Sequence, residues 1–595
     1  MVLLLFAVAL FVVLLPQTCR ACTTVVIGKG LSSTGHVIVG HNEDDVGCLA
    51  SRHGYVPAAE HPLGATIPAE EGYAVIPQAP RTHGFFWSEL KGAKGGLTTA
   101  DTFFNDQGVY ISSDSCGISK ADVTDASRLS DGGIGYNLRR IVAERACSAR
   151  DALRIATELV ERYGYVPSAR AYIFADADEA WLLQIVSGKH YAAQRLGDDE
   201  AAVIPNYYTI HQVDPADTGR FLLSTGLIEH AVEKGWYDPA SGEFDFAAAY
   251  QADETRYSDG NRLRSEGGYS ILLRRPFHCD GDYPFSVRPG YPISPATVME
   301  VLRTHYEGTL ADPDCLRAPF PGGAPHDTEF RRICTGSTVE SDVVVFGARE
   351  RPELTTMWLS PGRPCELPYM PIHPFFGVPR ALDAMKGNAA KLLESHLQPE
   401  AGLLDWRESG FQAMRDYQNA FELVYQEHHD EHTRWLWAYE ATLAEGEREL
   451  QEKLASLCSS GDLDAARRCA TEQDQRTVRH TVLALNDMKK DLAPLSVVAV
   501  HQPSDEGDLT QLVFDLPERI PMDGSIVVTK SGTNARTAGI RPLSGSLKRH
   551  GSGWSVIVET EKLNVAGIPG FFDYWLGGRD TKGRSFGGQF FFRVH

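Results

Sequence analysis

Basic residues are scarce in this chain compared with acidic ones. The 595 residues include 57 lysines and arginines against 78 aspartates and glutamates, which gives a formal net charge of −21. Nucleic acids and anionic lipid surfaces are bound mainly by clusters of basic side chains. The charge balance therefore argues against nucleic acid as a partner and against electrostatic attachment to a membrane surface.

Long apolar stretches are lacking too, except at the N-terminus. Residues Val2–Leu15 form an unbroken apolar run, which is shorter than the roughly 20 residues that a transmembrane helix needs. Small residues at Cys19 and Ala21 fit a signal-peptidase site. We predict that residues 1–21 are a transient signal peptide, with an uncleaved anchor as the alternative. The protein would then reach an extracellular, periplasmic or lysosome-like lumen through the secretory pathway.

Cysteines with zinc-ribbon spacing are also missing. The eleven cysteines are scattered, and none has the spacing of a zinc ribbon. His428 and His432 lie one helical turn apart, but no third ligand is evident, so we interpret them as part of a solvated helix face. We expect neither a metal nor a cofactor. Some cysteines of an exported protein should pair, and we predict a disulfide between Cys458 and Cys469, which flank a short turn.

What the sequence does contain is a cysteine directly after the predicted cleavage site. Cleavage after Ala21 makes Cys22 the N-terminal residue. A thiol and a free α-amine on one residue supply a nucleophile and a base, as in N-terminal-nucleophile hydrolases. Cys19 and Cys22 also form a C-x-x-C pattern, typical of redox and metal sites, but cleavage would separate them. A lipid-modified Cys22 is a further alternative.

The pattern of apolar residues predicts an α+β fold with mainly antiparallel sheet. Two β-branched runs around a Gly/Ser-rich turn predict a hairpin that starts at Cys22. Its second strand brings the acidic stretch His41-Asn-Glu-Asp-Asp45 back beside Cys22. Helical spacing between Ser148 and Gly164 predicts a helix. Strands and helices arrive in separate blocks, which is typical of the α+β class.

The chain is too long for a single core, and its character changes along its length. After the signal peptide we predict a main domain at residues 22–380. Residues 381–493 are rich in Glu, Lys, Arg, Ala, Leu and Gln and predict a helical segment. Residues 494–595 contain short strands between Gly/Asp/Ser turns and predict a small β-sandwich.

A series of motifs occurs in the order found in one enzyme family. The motifs are Cys22-Thr-Thr-Val-Val-Ile-Gly, Gly40-His-Asn-Glu-Asp44, Phe104-Asn-Asp-Gln-Gly-Val, Asp176-Ala-Asp-Glu-Ala-Trp181, Ile204-Pro-Asn206, and the strands that start near Cys334 and Met357. Over roughly residues 22–380 the chain resembles the cysteine dipeptidases related to dipeptidase A and secernin. The resemblance implies an N-terminal-nucleophile αββα sandwich of antiparallel sheets and the hydrolysis of small peptides.

The resemblance also implies catalytic roles. Cys22 matches the nucleophile, whose own α-amine serves as the base. Asp44 matches the acidic residue that orients this amine. Asn206 matches the side-chain donor to the oxyanion, and a backbone N–H near Asp114 is the expected second donor. Asp114 is therefore placed in the substrate-binding part of the site.

Two further positions are less well determined by the resemblance. Arg262 matches the arginine expected beside the nucleophile, with Arg264 as an equal alternative. His41 stands where the family has an arginine. We predict that His41 is a substrate-binding residue. Because the charge of a histidine depends on pH, the substrate preference and neutral pH optimum of the family do not carry over directly to this chain.

The leading functional hypothesis is a secreted thiol-dependent dipeptidase that forms an acyl-enzyme on Cys22 with small peptide substrates. One alternative is an N-acyl amino acid amidase or acyltransferase of the same superfamily. Another is a catalytically silent secreted binding protein. The presence of Cys22, Asp44 and Asn206 together favours an enzyme, whereas His41 favours the binding protein. The formation of a homo-oligomer is left open.

Overall fold

The protein is described from a computed structural model. The described residues are 22–44, 50–67, 72–91, 99–120, 129–167, 169–307, 326, 332–383, 410–492, 495–502, 508–530, 539–563 and 570–594. The predicted signal peptide, residues 1–21, lies outside them. Among the described residues, no helix combines the length and the apolar character needed to cross a membrane.

The strands of the described residues are β1 Thr23–Ile27, β2 Ile38–Asp44, β3 Ala50–Val56, β4 Ala59–Glu60, β5 Arg81–Thr82, β6 Phe85–Lys91, β7 Thr99–Asn105, β8 Tyr110–Ser115, β9 Arg170–Ala175, β10 Ala180–Ile185, β11 Tyr191–Arg195, β12 Ala201–Ile204, β13 Phe221–Leu223, β14 Thr338–Val345, β15 Thr356–Ser360, β16 Met370–Ile372, β17 Val497–Gln502, β18 Leu509–Phe514, β19 Val527–Lys530, β20 Lys548–His550, β21 Gly553–Glu559, β22 Gly570–Arg579 and β23 Ser585–Val594.

The α-helices are α1 Asn137–Arg145, α2 Ala149–Tyr163, α3 Leu227–Glu233, α4 Phe246–Tyr250, α5 Asp253–Arg256, α6 Asp259–Leu273, α7 Pro295–Arg303, α8 Gly410–Glu422, α9 Tyr425–Ser459 and α10 Leu463–Leu492. Short 3₁₀ turns occur at Pro239–Ser241, Pro352–Leu354 and Thr560–Leu563.

Two antiparallel sheets form the main body of the protein. One has the strand order β12-β1-β2-β14-β15-β16, and the other has the order β13-β11-β10-β9-β8-β7-β6-β3. Both contribute to one buried apolar cluster, which includes Val39 and Met357 from the first sheet and Phe104 and Ile173 from the second. A large part of the core therefore lies between the two sheets.

Helices cover the outer faces of both sheets. Helices α1 and α2 share an apolar cluster with the eight-stranded sheet, and α6 and α7 share one with the six-stranded sheet. Helix α7 rests directly on β2. A Cβ atom at Gly40 would lie 2.5 Å from Val298 Cγ1 and 2.9 Å from Leu302 Cδ1. The glycine therefore permits the close approach of α7 to the strand that carries the acidic stretch.

The predicted α+β class with antiparallel sheets is confirmed. The N-terminal hairpin is present, with β1 antiparallel to β2 and Thr24 opposite His41. The predicted helix is α2, which starts after Ser148, whose side chain accepts a hydrogen bond from the Asp151 N–H. The helix ends at Gly164, which adopts φ 79°. A positive φ costs glycine little, so glycine is a common helix stop.

The later parts of the chain contain the elements that their composition suggests. Helices α8 to α10 lie within residues 381–493, and α8 and α10 contribute Met414 and Val478 to the cluster between the sheets. His432 on α9 is buried, with Nδ1 2.7 Å from Tyr417 Oη, so the expected solvated helix face is wrong for this residue. Near the C-terminus, the sheets β17-β18-β21-β20 and β19-β22-β23 share one apolar cluster.

The eight cysteines that the structure describes are all free thiols. Cys458, near the end of α9, and Cys469, on α10, both border the apolar cluster around Leu454 and Ala466. The predicted disulfide between Cys458 and Cys469 is not formed in this structure. The helical hairpin is held by packing of these apolar side chains instead.

Candidate active site

Cys22 is presented by the strand pair at the centre of the six-stranded sheet. It directly precedes β1, and Thr24 lies opposite His41 on β2. Because side chains alternate between the two faces of a strand, Cys22 and Thr24 share one face with His41 and Glu43. Asp44 projects from the other face.

The thiol of Cys22 is buried and contacts a carboxylate. Cys22 is only 2% exposed, and its Sγ–H donates a hydrogen bond to Glu43 Oε2 at 3.0 Å. Asp44 approaches Sγ with its main-chain oxygen, at 3.9 Å, while its carboxylate Oδ1 accepts a hydrogen bond from Thr338 Oγ1 at 2.5 Å. Glu43, which sequence analysis did not single out, is therefore the carboxylate at the thiol. Side chains alternate between the two faces of a strand, so the predicted strand already implied that Glu43, and not Asp44, shares a face with Cys22.

His41 lies between two buried carboxylates. Its Nε2 is 3.5 Å from Glu43 Oε2, and its Nδ1 is 3.7 Å from Asp114 Oδ1. Thr24 Oγ1 donates to Asp114 Oδ2 at 2.7 Å and lies 2.9 Å from His41 Nδ1. Because a hydroxyl carries a single proton, His41 Nδ1 must be the donor to Thr24 Oγ1. The structure thus brings His41 and Asp114 together, next to Cys22.

The arginine beside Cys22 is Arg264. Its Nη1 donates to the Cys22 main-chain oxygen at 2.6 Å, and its side chain is buried. Arg262, on the same helix α6, donates instead to the carbonyl oxygens of Cys279 and Gly281 at 2.7 and 2.8 Å. Residues two apart on a helix point about 200° away from each other, so one of the pair faces β1 and the other faces outward. The assignment of Arg262 is therefore corrected to Arg264.

Asn206 lies just beyond the end of the strand that neighbours β1. Strand β12 pairs with β1, with Ile204 opposite Thr24, and Asn206 follows two residues later. Its Nδ2 donates to Ser115 O at 2.6 Å. A carboxamide nitrogen has two N–H donors, and the second has no partner among the described residues.

A buried arginine that no sequence motif indicated lies on β9, next to β8, the strand that carries Asp114. Arg170 on β9 donates to Ser113 Oγ at 3.2 Å and to Tyr136 Oη at 3.4 Å. Burial by itself lowers the pKa of Arg170, but Tyr136, neighbouring tyrosines and the Cys22 thiol raise it well above its ordinary value. In the part of the chain that the structure describes, Arg170 forms no ion pair with a carboxylate. Because Arg170 pairs with Ser115, its side chain starts on the face of the sheet opposite to that of Asp114, and its influence on Cys22 is electrostatic.

These groups together suit nucleophilic attack on a carbonyl carbon. The site holds a buried thiol, an amide donor beside it, and carboxylates and cations that can orient a charged substrate. The side-chain clusters among the described residues that could hold a metal ion include neither Cys22 nor Glu43, His41 or Asp114.

The sequence was compared with known families and curated proteins. Residues 21–395 match the family described as Peptidase family C69. A probable dipeptidase of Salmonella dublin is 25% identical over 373 residues, which cover 59% of this chain and 81% of the relative. A probable dipeptidase of Latilactobacillus sakei is 23% identical over 356 residues, covering 59% and 73%. Probable dipeptidase B of Streptococcus pyogenes serotype M1 is 24% identical over 379 residues, covering 59% and 71%.

Among solved structures, this chain is similar to two variants of the conjugated bile acid hydrolase of Clostridium perfringens. They are 10% and 11% identical to this chain, and both have a TM-score of 0.21. The matches cover 30% of this chain and about half of each solved chain, at 52% and 51%.

Proposed function

Because the chain belongs to peptidase family C69, we propose that it is a thiol-dependent dipeptidase that acts through Cys22. The observation that carries the proposal is the buried residue Cys22, whose main-chain oxygen accepts a hydrogen bond from Arg264. An amide donor, Asn206, lies two residues beyond the end of the adjacent strand β12. The layer order helix, sheet, sheet, helix supports an N-terminal-nucleophile αββα fold.

The proposed reaction begins with the removal of residues 1–21 during export, which frees the α-amine of Cys22. An α-amine has a reference pKa near ~8 and can take the thiol proton at neutral pH. Sγ then attacks the substrate carbonyl carbon and forms a C–S bond. The ammonium returns the proton to the leaving amine as the C–N bond breaks. Water hydrolyses the resulting thioester and regenerates Cys22.

The negative charge on the tetrahedral intermediate needs hydrogen-bond donors. The second N–H of Asn206 Nδ2 is the side-chain donor in this proposal, with a backbone N–H near Asp114 as the other. Glu43 has a different role, because a carboxylate opposes thiolate formation but stabilises a nearby cation. We assign to Glu43 the orientation of the thiol and the stabilisation of the Cys22 ammonium.

Charged groups in the site support a dipeptide as the substrate. An ionised dipeptide carries an ammonium at one end and a carboxylate at the other. Arg170 is a buried cation without a carboxylate partner among the described residues, and a charge in such a position is costly unless it is paired. A substrate carboxylate at Arg170 would supply that partner, and the buried Asp114 is a suitable group for the ammonium. Because Arg170 and Asp114 lie on opposite faces of the sheet, such a substrate would pass around the end of β8 and the start of β9.

The alternatives differ in what they require of the substrate and of the thiol. An N-acyl amino acid amidase would accept substrates that lack the ammonium, so N-acetylated dipeptides distinguish it from a dipeptidase. A silent binding protein would react with iodoacetamide at Cys22 but release no amino acid from any amide. Export to an extracellular, periplasmic or lysosome-like lumen remains part of the proposal.

The decisive experiment compares two chains that differ at the N-terminus. One starts at Cys22 after removal of the initiator methionine, and the other retains Ala21, as verified by mass spectrometry. We expect the first to hydrolyse a panel of dipeptides and the second to be inactive, because an amide nitrogen cannot act as the base. Cys22→Ala in the first chain is the inactive control. Full activity of the chain with Ala21 would contradict the mechanism.

A further inference from the structure

Outside the Cys22 site, four side chains from distant parts of the sequence meet at one point. His305 follows α7, His326 lies further along the chain, Cys334 precedes β14, and Cys365 follows β15. The two ring nitrogens and two sulfurs nearest one another all lie within 4.8 Å of each other. We propose that these residues bind one Zn²⁺ ion in a structural site.

The distances between the ligand atoms agree with a tetrahedral zinc ion. Cys334 Sγ lies 3.3 Å from Cys365 Sγ, His326 Nε2 lies 3.1 Å from Cys365 Sγ, and Cys334 Sγ lies 4.0 Å from His326 Nε2. Zinc bonds of about 2.3 Å to sulfur and about 2.0–2.1 Å to nitrogen place tetrahedral ligand atoms about 3.5–3.8 Å apart. Each of these three distances is within about half an ångström of that range, and all four ligand atoms lie within 4.8 Å of one another. Shifts of about one ångström or less would therefore admit the ion.

Both imidazole rings are oriented as zinc ligands. His305 Nδ1 donates to Glu307 Oε1 at 2.8 Å, and His326 Nδ1 donates to Glu422 Oε1 at 2.6 Å. A proton on Nδ1 leaves the lone pair of Nε2 free for a metal, and a carboxylate behind a histidine is the usual support of a zinc ligand. His305 Nε2 is buried, and apart from the Cys334 thiol beside it no described residue offers it a hydrogen bond. A zinc ion would satisfy it.

The type and number of ligands select the metal and its role. Two thiolates and two imidazoles suit zinc and do not suit magnesium or calcium, which prefer oxygen. Four protein ligands complete the tetrahedron and leave no position for water, which is typical of a structural site. His305 and Cys334 are almost fully buried, so solvent would not compete for the ion.

The charges around the cluster are compatible with a bound ion. Each thiol releases one proton as it binds, and the two thiolates balance the charge of Zn²⁺. The ion therefore adds no net charge to the buried surroundings. Nearby, Arg363 Nε already pairs with Glu366 Oε2 at 2.6 Å and with Glu422 Oε1 at 3.3 Å.

The cluster is connected to the strand that carries the acidic stretch. The Cys334 N–H donates to Thr304 O at 3.2 Å, which links the segments of two ligands. Asn42 Nδ2 donates to Leu302 O at 2.8 Å and to Ile333 O at 3.0 Å. Zinc would therefore fasten together the two segments that hold β2 at Asn42. Loss of the ion should loosen β2 and lower the stability of the protein.

A disulfide between Cys334 and Cys365 is the competing arrangement in an oxidising compartment. A disulfide would not use the two histidines, each of which is backed by a carboxylate and turned toward the sulfurs. The zinc site accounts for the positions of all four side chains. The two arrangements can be told apart by metal content and by the mass of the tryptic fragments that contain Cys334 and Cys365.

The test measures metal in the mature full-length protein, purified under reducing conditions and supplied with Zn²⁺. We expect one zinc per chain by inductively coupled plasma mass spectrometry. Cys334→Ser and His305→Ala should lose it. Cys147→Ser and His278→Ala, at exposed positions, should keep it. With Co²⁺ in place of Zn²⁺, thiolate-to-cobalt absorption should appear in the wild type and be absent in Cys365→Ser.

A variant that keeps all four ligands guards against loss of folding. Glu422→Gln should weaken zinc affinity by about 10- to 100-fold, the usual effect of removing the carboxylate behind a ligating histidine. Glu431→Gln, at an exposed position on α9, should leave the affinity unchanged. Reduced wild-type protein that binds no zinc would overturn the proposal. So would folded ligand variants that retain the ion, or a Cys334–Cys365 disulfide in zinc-supplied protein.

Discussion

Cys22 Sγ–H donates a hydrogen bond to Glu43 Oε2 at 3.0 Å across the pairing of β1 with β2. The neighbouring carboxylate, that of Asp44, accepts a hydrogen bond from Thr338 on the other face of the sheet. The two acidic residues are adjacent in sequence, yet the alternation of a strand gives them different partners. Their contributions to the reactivity of Cys22 should therefore differ.

Glu43→Gln should make the Cys22 thiol easier to ionise. The variant removes a negative charge that opposes the thiolate, so the midpoint of iodoacetamide labelling should move to lower pH. Asp44→Asn should move that midpoint less, because its side chain projects from the opposite face. Rates of labelling measured between pH 5 and 10 check this. Equal shifts in the two variants would contradict the distinct placement of the two carboxylates.

Arg264→Gln should impair catalysis much more than Arg262→Gln. Arg264 donates a charged hydrogen bond to the Cys22 main-chain oxygen, and such bonds contribute about 1.5–3 kcal/mol. We expect kcat/KM to fall about 10- to 100-fold, following that energy range. Arg262 contacts only carbonyl oxygens of a surface loop and an aromatic ring among the described residues. A larger loss in Arg262→Gln would restore the original assignment.

Asn206→Ala should lower kcat by about 10²–10³, the usual effect of removing one oxyanion donor. KM should change much less, since the donor acts on charge that develops in the transition state. Steady-state kinetics with one dipeptide, together with a melting curve to verify folding, provide the measurement. A variant with only a raised KM would make Asn206 a substrate-binding residue.

Arg170→Met should impair the hydrolysis of dipeptides more than that of dipeptide amides. If Arg170 pairs with the substrate carboxylate, its loss should raise KM for dipeptides by about 10-fold or more, as expected for a buried charge pair. Dipeptide amides lack that carboxylate, so their kcat/KM should remain nearly unchanged. An equal loss for both substrate types would show that Arg170 supports the site rather than the substrate.

The contribution of His373 to the free energy of unfolding should decrease as the pH becomes alkaline. Its Nδ1 lies 2.7 Å from Asp474 Oδ1 on α10, and its Nε2 lies 3.3 Å from Glu447 Oε1 on α9. Burial lowers the pKa of His373, but Asp474 and Glu447 together raise it to about 10. Burial also raises the pKa of Asp474, so the net stabilisation is smaller than the His373 shift alone implies.

The sign follows from the raised pKa of His373. Unfolded histidine titrates near ~6.5, so the contribution is complete below that pH and is lost as pH rises toward the folded pKa of about 10. The difference in free energy of unfolding between wild type and His373→Gln should therefore shrink from pH 6 to pH 10. Urea unfolding at several pH values measures it. A difference that grows with pH would refute the ion pair.

Local patterns in the sequence were sufficient for much of the fold. The β-branched runs after Cys22 and the spacing between Ser148 and Gly164 predicted the first hairpin and helix α2, because each pattern acts within one element. The antiparallel α+β class followed from the order of such elements. The proposed disulfide of Cys458 with Cys469 failed for the opposite reason, since a short turn between helices does not determine which side chains meet.

The sequence by itself indicated the elements, the family and a cysteine directly after a predicted cleavage site. Only the tertiary structure decided which side chains contact that cysteine: Glu43 at the thiol and Arg264 at the main-chain oxygen. It also decided that His305, His326, Cys334 and Cys365 meet. The physical reason is that the faces of strands and helices follow from local periodicity, whereas contacts between distant segments depend on how whole sheets and helices pack.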